Sequence, residues 1–518
     1  MKRSAICLVF LAALFQPGFQ SPVRGAEVEI REQFPIRGFH LDLKIQVMTP
    51  GALREFAREL AGMGFNTLVT EWEASFPFDK HATISNRYAY TRQEVESFIS
   101  YCGELGIDVI PLQQCFGHVE YILRHDRYAH LKEDRKDICQ LCPLKKEQAR
   151  QLFTEVFSDI ASLHHSEYIH IGGDETYLLG HCDKCAAFAA QYGKSRLYVD
   201  YMKMICDIII GLGKRPVLWA DIVLKHPEAV ARLPQETVFV DWNYGWALDH
   251  FGDISVLKEQ GSEFWGSPAL RSHPDNYYLS CWGKHFNNLR DFIPYARKSG
   301  YTGIVMTSWS TSGQYGFEWD NPWKVVEMHT IRHVYPLSGF RILVAAYAQA
   351  LEQVEPIEPP AFVAEYAAER FGFDNFEARR FWEVLTTDPS MVETNTPLEE
   401  DYTKEVLSHV RQAQKKLGSL KPRSNEKEFE HFRLMFDIRE QYLAFMEIQC
   451  RVQSPGFSLA QAERAALDLG KVMAKSSGLD ERFRRLNAGF LHDSEIEKEC
   501  EVRNKKMRLL YERLARKK

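Results

Sequence analysis

Two adjacent carboxylates, Asp174 and Glu175, sit near the end of the stretch E-Y-I-H-I-G-G-D-E-T-Y that runs from Glu167 to Tyr177. Tyr168, Ile169 and Ile171 read as a short β-run. Gly172 and Gly173 then leave room for a ligand or another backbone to approach. Successive strand residues point to opposite sides, so the two acids at a strand end are expected to diverge into different surroundings. A protonated acid beside an ionised partner is the chemistry such a pair can run. Partial burial next to ionised Asp174 is expected to raise the pKa of Glu175. A solvated loop or a helix N-cap is the plainer reading of Asp-Glu, and the double glycine after an apolar run argues against it.

A second set of chemically capable residues is Cys139-x-x-Cys142 and Cys182-x-x-Cys185. Each pair has zinc-knuckle spacing. Together they could form a tetrahedral four-thiolate site, which has no open position for water and would therefore be a structural zinc that braces a loop. Two disulfides, or free thiols, are the other readings, and an exported chain favours disulfides. Cys102, Cys115, Cys206, Cys281, Cys450 and Cys500 are scattered and read as buried apolar residues. A catalytic metal would need an array such as His-x-His or His-Glu-x-x-His, and neither is present.

Between residue 36 and about residue 310, short apolar runs alternate with helical patterns. The expected strands are Ile36–Leu43, Phe65–Thr70, Ile107–Leu112, Tyr168–Gly173, Pro216–Ala220, Thr237–Asp241, Glu263–Gly266 and Gly303–Trp309. Helical stretches such as Pro50–Gly64, Thr91–Gly106, Leu144–His164 and Lys194–Gly213 separate them, several closed by glycine. Eight β-runs, each with a crossover, predict an α/β fold, a (β/α)8 TIM barrel, over a doubly wound sheet. Functional groups of a barrel sit at the C-terminal ends of its strands. Those positions hold Asp42, Glu71, Trp72, His118, Asp174, Glu175, Trp219, Asp221, Asp241, Trp242, Tyr244, Trp265 and Trp309. Five tryptophans at one mouth predict a sugar box, because indole faces stack on the C–H faces of pyranose rings.

Beyond residue 345 the β-signal fades. Residues 346–518 are expected to form a C-terminal α-helical region packed on a catalytic barrel of residues 33–345. The 518 residues carry 45% hydrophobic and 26% charged side chains, which are globular values, with a net charge of −6. That charge gives no reason to expect nucleic acid or anionic membrane as a partner. Lys2 and Arg3 precede an apolar run from Ala5 to Phe15, and Gly25 and Ala26 are small. Residues 1–26 therefore read as a signal peptide, with export as the expectation and no membrane span.

Several blocks resemble the family 20 glycoside hydrolases, the β-N-acetylhexosaminidases, and within them the hexosaminidase D-like branch. They are R-G-F-H-L-D-L-K from Arg37, L-Q-Q-C-F-G-H-V-E from Leu112, H-I-G-G-D-E-T-Y-L-L-G from His170, V-L-W-A-D from Val217 and V-D-W from Val240. The resemblance implies removal of terminal β-linked N-acetylglucosamine or N-acetylgalactosamine from glycans, with a carbohydrate substrate and no cofactor for catalysis. It implies substrate-assisted retention, in which the sugar's own acetamido oxygen attacks the anomeric carbon to give an oxazoline-like intermediate. Glu175 would be the general acid and then base, and Asp174 would orient the acetamido group. Arg37 and Asp221 would hold sugar hydroxyls, His118 would support the acids, and Trp219, Trp242 and Trp309 would wall the acetamido methyl. Trp265 and Glu71 join the expected substrate-binding set, although many relatives carry aspartate at the latter place. The tyrosine that most members place after strand seven is absent from F-W-G-S-P-A, and Tyr244 is the expected substitute, with Tyr315 as the other choice. A non-hydrolytic sugar-binding barrel and a metallohydrolase are the competing readings. The intact Asp174-Glu175 pair argues against the first, and the missing histidine array argues against the second.

Overall fold

The first strand, β1 (Ile36–Asp42), shows how alternation builds the fold. Phe39 faces outward and packs on Phe56 of helix α1 (Pro50–Gly62), ring centroids 5.1 Å apart. His40, one residue on, faces inward against Trp219 and Trp309. The same alternation recurs in β2 (Thr67–Glu71), β3 (Asp108–Leu112), β4 (Tyr168–His170), β5 (Arg215–Trp219), β6 (Val238–Trp242), β7 (Glu263–Ser267) and β9 (Gly303–Ser308). A computed structural model describes residues 34–515 apart from residues 88, 273–277, 279, 311–333 and 388–399. Residues 1–26 and Tyr315 lie outside the described residues.

These eight strands pair in parallel in the order β1-β2-β3-β4-β5-β6-β7-β9, and β9 pairs back to β1, which closes the barrel. A short extra strand, β8 (Ala269–Arg271), lies alongside β9. The crossover helices are α1, α2 (Arg92–Glu104), α3 (Lys146–Ala161), α4 (Asp183–Tyr192), α5 (Lys194–Gly211), α6 (Asp221–Lys225), α7 (Trp282–Lys298) and α8 (Arg341–Glu352). Local chemistry starts several of them. Thr49 caps α1 with Pro50 in its first turn, and Thr91 and Glu94 form a reciprocal capping box on α2, a device worth about 1 kcal/mol.

Inside the barrel, Val69, Ile110, Val217, Val238, Val240 and Val305 pack with larger rings. Trp265 plugs the N-terminal end against Tyr168, ring centroids 5.1 Å apart. Gly303 makes room for it, since a Cβ there would meet Trp265 at 2.8 Å. This overturns the expectation for Trp265: it lies two residues into β7, is fully buried, and fills the core rather than the mouth. Arg37 needs the same correction. It is the second residue of β1, and its guanidinium donates to the carbonyls of Gly64 (3.0 Å) and Phe34 (3.2 Å) at the N-terminal end, away from the acidic pair. Trp72 faces outward, its indole N–H on His164 at 3.1 Å, and Asp241 accepts from Tyr301 at 2.7 Å behind the sheet.

Residue 345, where the barrel was expected to end, falls inside α8. That helix belongs to the barrel, because the Tyr347 hydroxyl lies 3.0 Å from the carbonyls of both Gly38 and Ile304. Then follow α9 (Pro359–Phe371), α10 (Asn375–Leu385), α11 (Glu400–Ser419), α12 (Glu426–Gln453), α13 (Leu459–Met473), α14 (Ser476–Asn487) and α15 (Asp493–Ala515). They form a bundle seated on the barrel. Trp282 of α7 packs on Phe432 of α12, and Met48 bridges to Leu491 in antiparallel fashion. Glu495 and Glu499 of α15 reach the segment just after β1: the Gln46 backbone N–H donates to Glu495 at 2.7 Å, and its side-chain amide to Glu499 at 3.0 Å.

Candidate active site

The strands deliver a ring of polar side chains to their C-terminal ends. β1 contributes His40 and Asp42, with Lys44 just beyond, and β2 contributes Glu71. Lys44 is almost fully buried and lies 3.0 Å from Glu71 and 3.3 Å from Asp42. Its ammonium also sits 4.4 Å above the centre of the Trp309 ring. Burial works against the charge on Lys44, but Asp42 and Glu71 outweigh it and push the pKa up. Burial likewise opposes ionisation of Glu71, yet Lys44 and His40, the latter at 2.9 Å, hold it at about 2. Asp42 also accepts from the backbone and hydroxyl of Ser310. This paired cluster forms a rigid floor. Glu71 is thus brought to the site, but its oxygens are engaged by Lys44 and His40.

β4 ends at His170, four residues before the acidic pair. Strand alternation therefore does not set the directions of Asp174 and Glu175, and the expected divergence is replaced by convergence. His118 Nε2 lies 3.4 Å from Asp174 Oδ2 and 3.2 Å from Glu175 Oε2. The glycines make that loop possible. Gly172 has φ +68°, and a Cβ on it would fall 1.7 Å from Gln114 Oε1. Gly117, in the loop after β3, has no room for a Cβ because the Asp174 carbonyl would lie 2.5 Å away. Glu73, His118 and Glu175 all take positive φ, at +43°, +52° and +46°. Such backbone costs about 1–3 kcal/mol per residue and collects at functional sites. Buried tyrosines hold these loops from below: Tyr198 donates to the Gly173 carbonyl, Tyr201 to that of Cys115 and Tyr121 to that of Gln114.

The charges do not follow the simplest expectation. Burial raises the pKa of Glu175, but the hydrogen bond and charge of His118, with Tyr177 and Lys225, outweigh it, and the net shift is downward. The expected upward shift of Glu175 is therefore not found. For His118, burial opposes protonation, yet Asp174 and Glu175 raise its pKa well above the usual imidazole value. The pair thus favours a charged imidazole beside an ionised carboxylate. Burial, then the charge of Asp174, pushes Asp221 up to about 7, and Asp221 accepts the Glu175 backbone N–H at 3.2 Å. Burial takes Glu120 up to about 7 as well, against the pull of His118.

Aromatic rings wall the other side. Trp219 lies 5.9 Å from Trp309, and Trp242 lies 4.9 Å from Tyr244, centroid to centroid. Trp246 and Phe251 back them. The Trp309 indole donates to the Tyr244 hydroxyl at 2.7 Å, which leaves the phenolic proton for another acceptor. Among the buried polar atoms here without a protein partner are Asp174 Oδ1, Asp221 Oδ1, Trp219 Nε1 and Trp242 Nε1. Buried polar atoms are normally satisfied, so acceptors and donors left over together at one mouth describe a cradle for a polar ligand. A cleft of about 490 Å3 elsewhere, between barrel and bundle, contains none of these residues. Its charges pair among themselves, Arg341 with Glu59 and Arg370 with Glu428.

Asp174, Glu175, His118, Asp221, Glu71, Trp219, Trp242, Trp309 and Tyr244 thus come together, while Arg37 and Trp265 do not. His40, Lys44, Glu73, Gln113, Gln114, Glu120 and Tyr177 were not anticipated as site residues. Lys44 carried the clearest sequence signal, a lysine two residues after an inward aspartate at a strand end. Among the cysteines, Cys142, Cys182 and Cys185 gather with Glu133, their ligand atoms all within 4.8 Å of one another. Cys139 is outside this group, so the expected four-thiolate set is corrected to three thiols and a carboxylate.

The catalytic-domain model of glycosyl hydrolase family 20 matches residues 34–313, the barrel and its mouth. Hexosaminidase D of Homo sapiens is 27% identical over 304 residues, which is 54% of this chain and 61% of that protein. Hexosaminidase D of Bos taurus is 28% identical over 291 residues, 53% of this chain and 84% of that protein. The solved β-N-acetylhexosaminidase of Bacteroides fragilis covers 65% of this chain and 70% of its own, at 16% identity and a TM-score of 0.48. With the family model covering more than half of its length, the chain belongs to glycosyl hydrolase family 20.

Proposed function

We propose that this chain is an exo-acting, retaining β-N-acetylhexosaminidase that removes terminal N-acetylglucosamine or N-acetylgalactosamine from glycans through an oxazoline-like intermediate. The observation that carries this reading is the cradle of unsatisfied atoms around the acidic pair. An acetamido group offers one N–H donor and one carbonyl acceptor. Asp174 Oδ1 takes the N–H, and the Tyr244 hydroxyl donates to the carbonyl oxygen. Held this way, the oxygen attacks the anomeric carbon of its own ring, and proximity supplies much of the acceleration.

Glu175 protonates the departing glycosidic oxygen and later deprotonates the water that opens the oxazoline. Its proton is kept next to it on His118, 3.2 Å away. Trp219, Trp242 and Trp309 enclose the acetamido methyl, and Asp221 accepts from a sugar hydroxyl. Catalysis by these residues needs no cofactor. Export after removal of residues 1–26 belongs to the same proposal, and N-terminal sequencing of protein recovered outside the cytoplasm tests it.

Chromogenic substrates test the chemistry. The protein is expected to hydrolyse β-N-acetylglucosaminides, β-N-acetylgalactosaminides or both, and to leave the matching β-glucoside intact. Equal rates on the β-glucoside would sink the substrate-assisted mechanism. Tight sugar binding with no hydrolysis would favour a binding protein instead.

A further inference from the structure

We propose that Glu133, Cys142, Cys182 and Cys185 bind one structural zinc ion that ties the loop carrying His118 to the loop carrying Glu175. The sulfur of Cys142 lies 3.9 Å from that of Cys182 and 3.5 Å from that of Cys185, and Cys185 lies 3.4 Å from Glu133 Oε2. Zinc bound tetrahedrally at about 2.3 Å from sulfur and about 2.0 Å from oxygen sets sulfurs about 3.75 Å apart and a sulfur–oxygen pair about 3.5 Å apart. The observed spacings sit within about 0.3 Å of these values. A disulfide needs sulfurs about 2.05 Å apart, so the cluster is far from one.

Local structure points the same way. Cys182 is the N-cap of α4 and Cys185 lies in its first turn, so the helix N-terminus favours thiolates there. Glu133 and Cys142 face them from a tight hairpin, in which Glu133 N–H donates to Gln140 and Cys142 N–H to Leu131. Glu133 is buried, one oxygen takes the Cys182 N–H at 2.8 Å, and the other faces Cys185. Among the described residues no cation pairs with this carboxylate, and a buried carboxylate beside three thiols calls for one. Three sulfurs and one oxygen in a tetrahedron suit zinc better than magnesium or calcium.

Four protein ligands leave no position for water, so the ion is structural. It would act on the site through the loops. The hairpin bonds to the His118 loop through Val119 N–H to Cys139 and Leu141 N–H to Phe116, and to the Glu175 loop through Leu178 N–H to the Gln140 side chain. Cys139 supplies only a backbone carbonyl to this arrangement.

The test is the metal content of the purified full-length protein, together with cobalt substitution. One zinc per chain is expected, and cobalt in its place should give sulfur-to-metal charge-transfer bands of three thiolates. Cys139→Ser should keep the full zinc content, whereas Cys182→Ser and Glu133→Ala should weaken zinc binding at least about tenfold. Glu133→Cys, which exchanges one ligand for another, should keep the zinc and raise the cobalt charge-transfer intensity by about one third. Should the weakened variants fail to fold, the pair Cys139→Ser and Glu133→Cys decides the matter. Reduced protein that takes up neither zinc nor cobalt would overturn the proposal. So would loss of zinc in Cys139→Ser, or a peptide map with Cys142 disulfide-bonded to Cys182 or Cys185.

Discussion

Replacing His118 with asparagine tests where the proton of the site is stored. The backbone at His118 is left-handed, and asparagine tolerates that region better than other non-glycine residues. The substitution therefore removes the imidazolium with little disturbance of the loop. The ring nitrogen lies 3.2 Å from Glu175 and 3.4 Å from Asp174. At an effective dielectric of about 20, unit charges at such separations interact by about 5 kcal/mol. The Glu175 side chain is 24% exposed, and water there brings the working effect to about one to three pH units, or about 1.4–4 kcal/mol.

The sign of the change follows from which group holds the proton. Asp174 and Glu175 raise the pKa of His118, so the pair is expected to keep its last proton to higher pH than a lone carboxyl would. Without His118, Glu175 must hold the proton alone and loses it at lower pH. The alkaline limb of kcat/KM reports loss of the acid from the free enzyme. In His118→Asn it should move toward acid by about one to three units, measured on an N-acetylhexosaminide with a poor leaving group. At mildly acidic pH much of the rate should return. An unmoved limb, or one displaced to higher pH, would refute the shared-proton reasoning.

Glu175→Gln should lower kcat about 10²- to 10⁴-fold on poor leaving groups and far less on activated aryl glycosides; an equal loss on both series would remove Glu175 from the acid role. Gly117→Ala puts a methyl 2.5 Å from the Asp174 carbonyl and must displace that loop. A shift of about 1 Å costs up to about 10²-fold in turnover, so activity should fall much further than thermal stability, and a fully active variant would contradict the contact. Lys44→Met strands Asp42 and Glu71 in the interior, and urea unfolding should show a loss of about 3–5 kcal/mol. A loss under about 1 kcal/mol would mean those acids are not held by Lys44.

The barrel was legible because eight buried parallel strands leave eight apolar runs, and glycines punctuate the helices between them. β8 was not legible, since three residues after Pro268 carry no periodicity. The acidic pair was legible as a motif, but its charge state was not, because that depends on His118 arriving from another loop 56 residues away. Arg37 and Trp265 show what rank within a strand means. Arg37 lies near the start of β1 and Trp265 midway along β7, short of the strand ends where the barrel rule puts function, and the family likeness and the five-tryptophan pattern pulled them toward the mouth. The cysteines show a limit of spacing: two Cys-x-x-Cys pairs imply four sulfurs, but the hairpin turns Cys139 aside and brings in Glu133, which no cysteine pattern could reveal.

The grip of α15 on the segment after β1 also sets the order of assembly. Gln46 and Glu499 are 453 residues apart in the chain yet hydrogen-bonded in the fold. At about 5–20 residues per second, a ribosome needs roughly 23–90 s to deliver the second partner after the first. Once Trp309 has been made, the nascent polypeptide holds nearly all of its catalytic groups while the lysine-bearing turn still lacks its far clasp. Closure of that turn therefore waits on α15, a helix whose Glu499 is translated 453 residues after Gln46 of the segment it clasps.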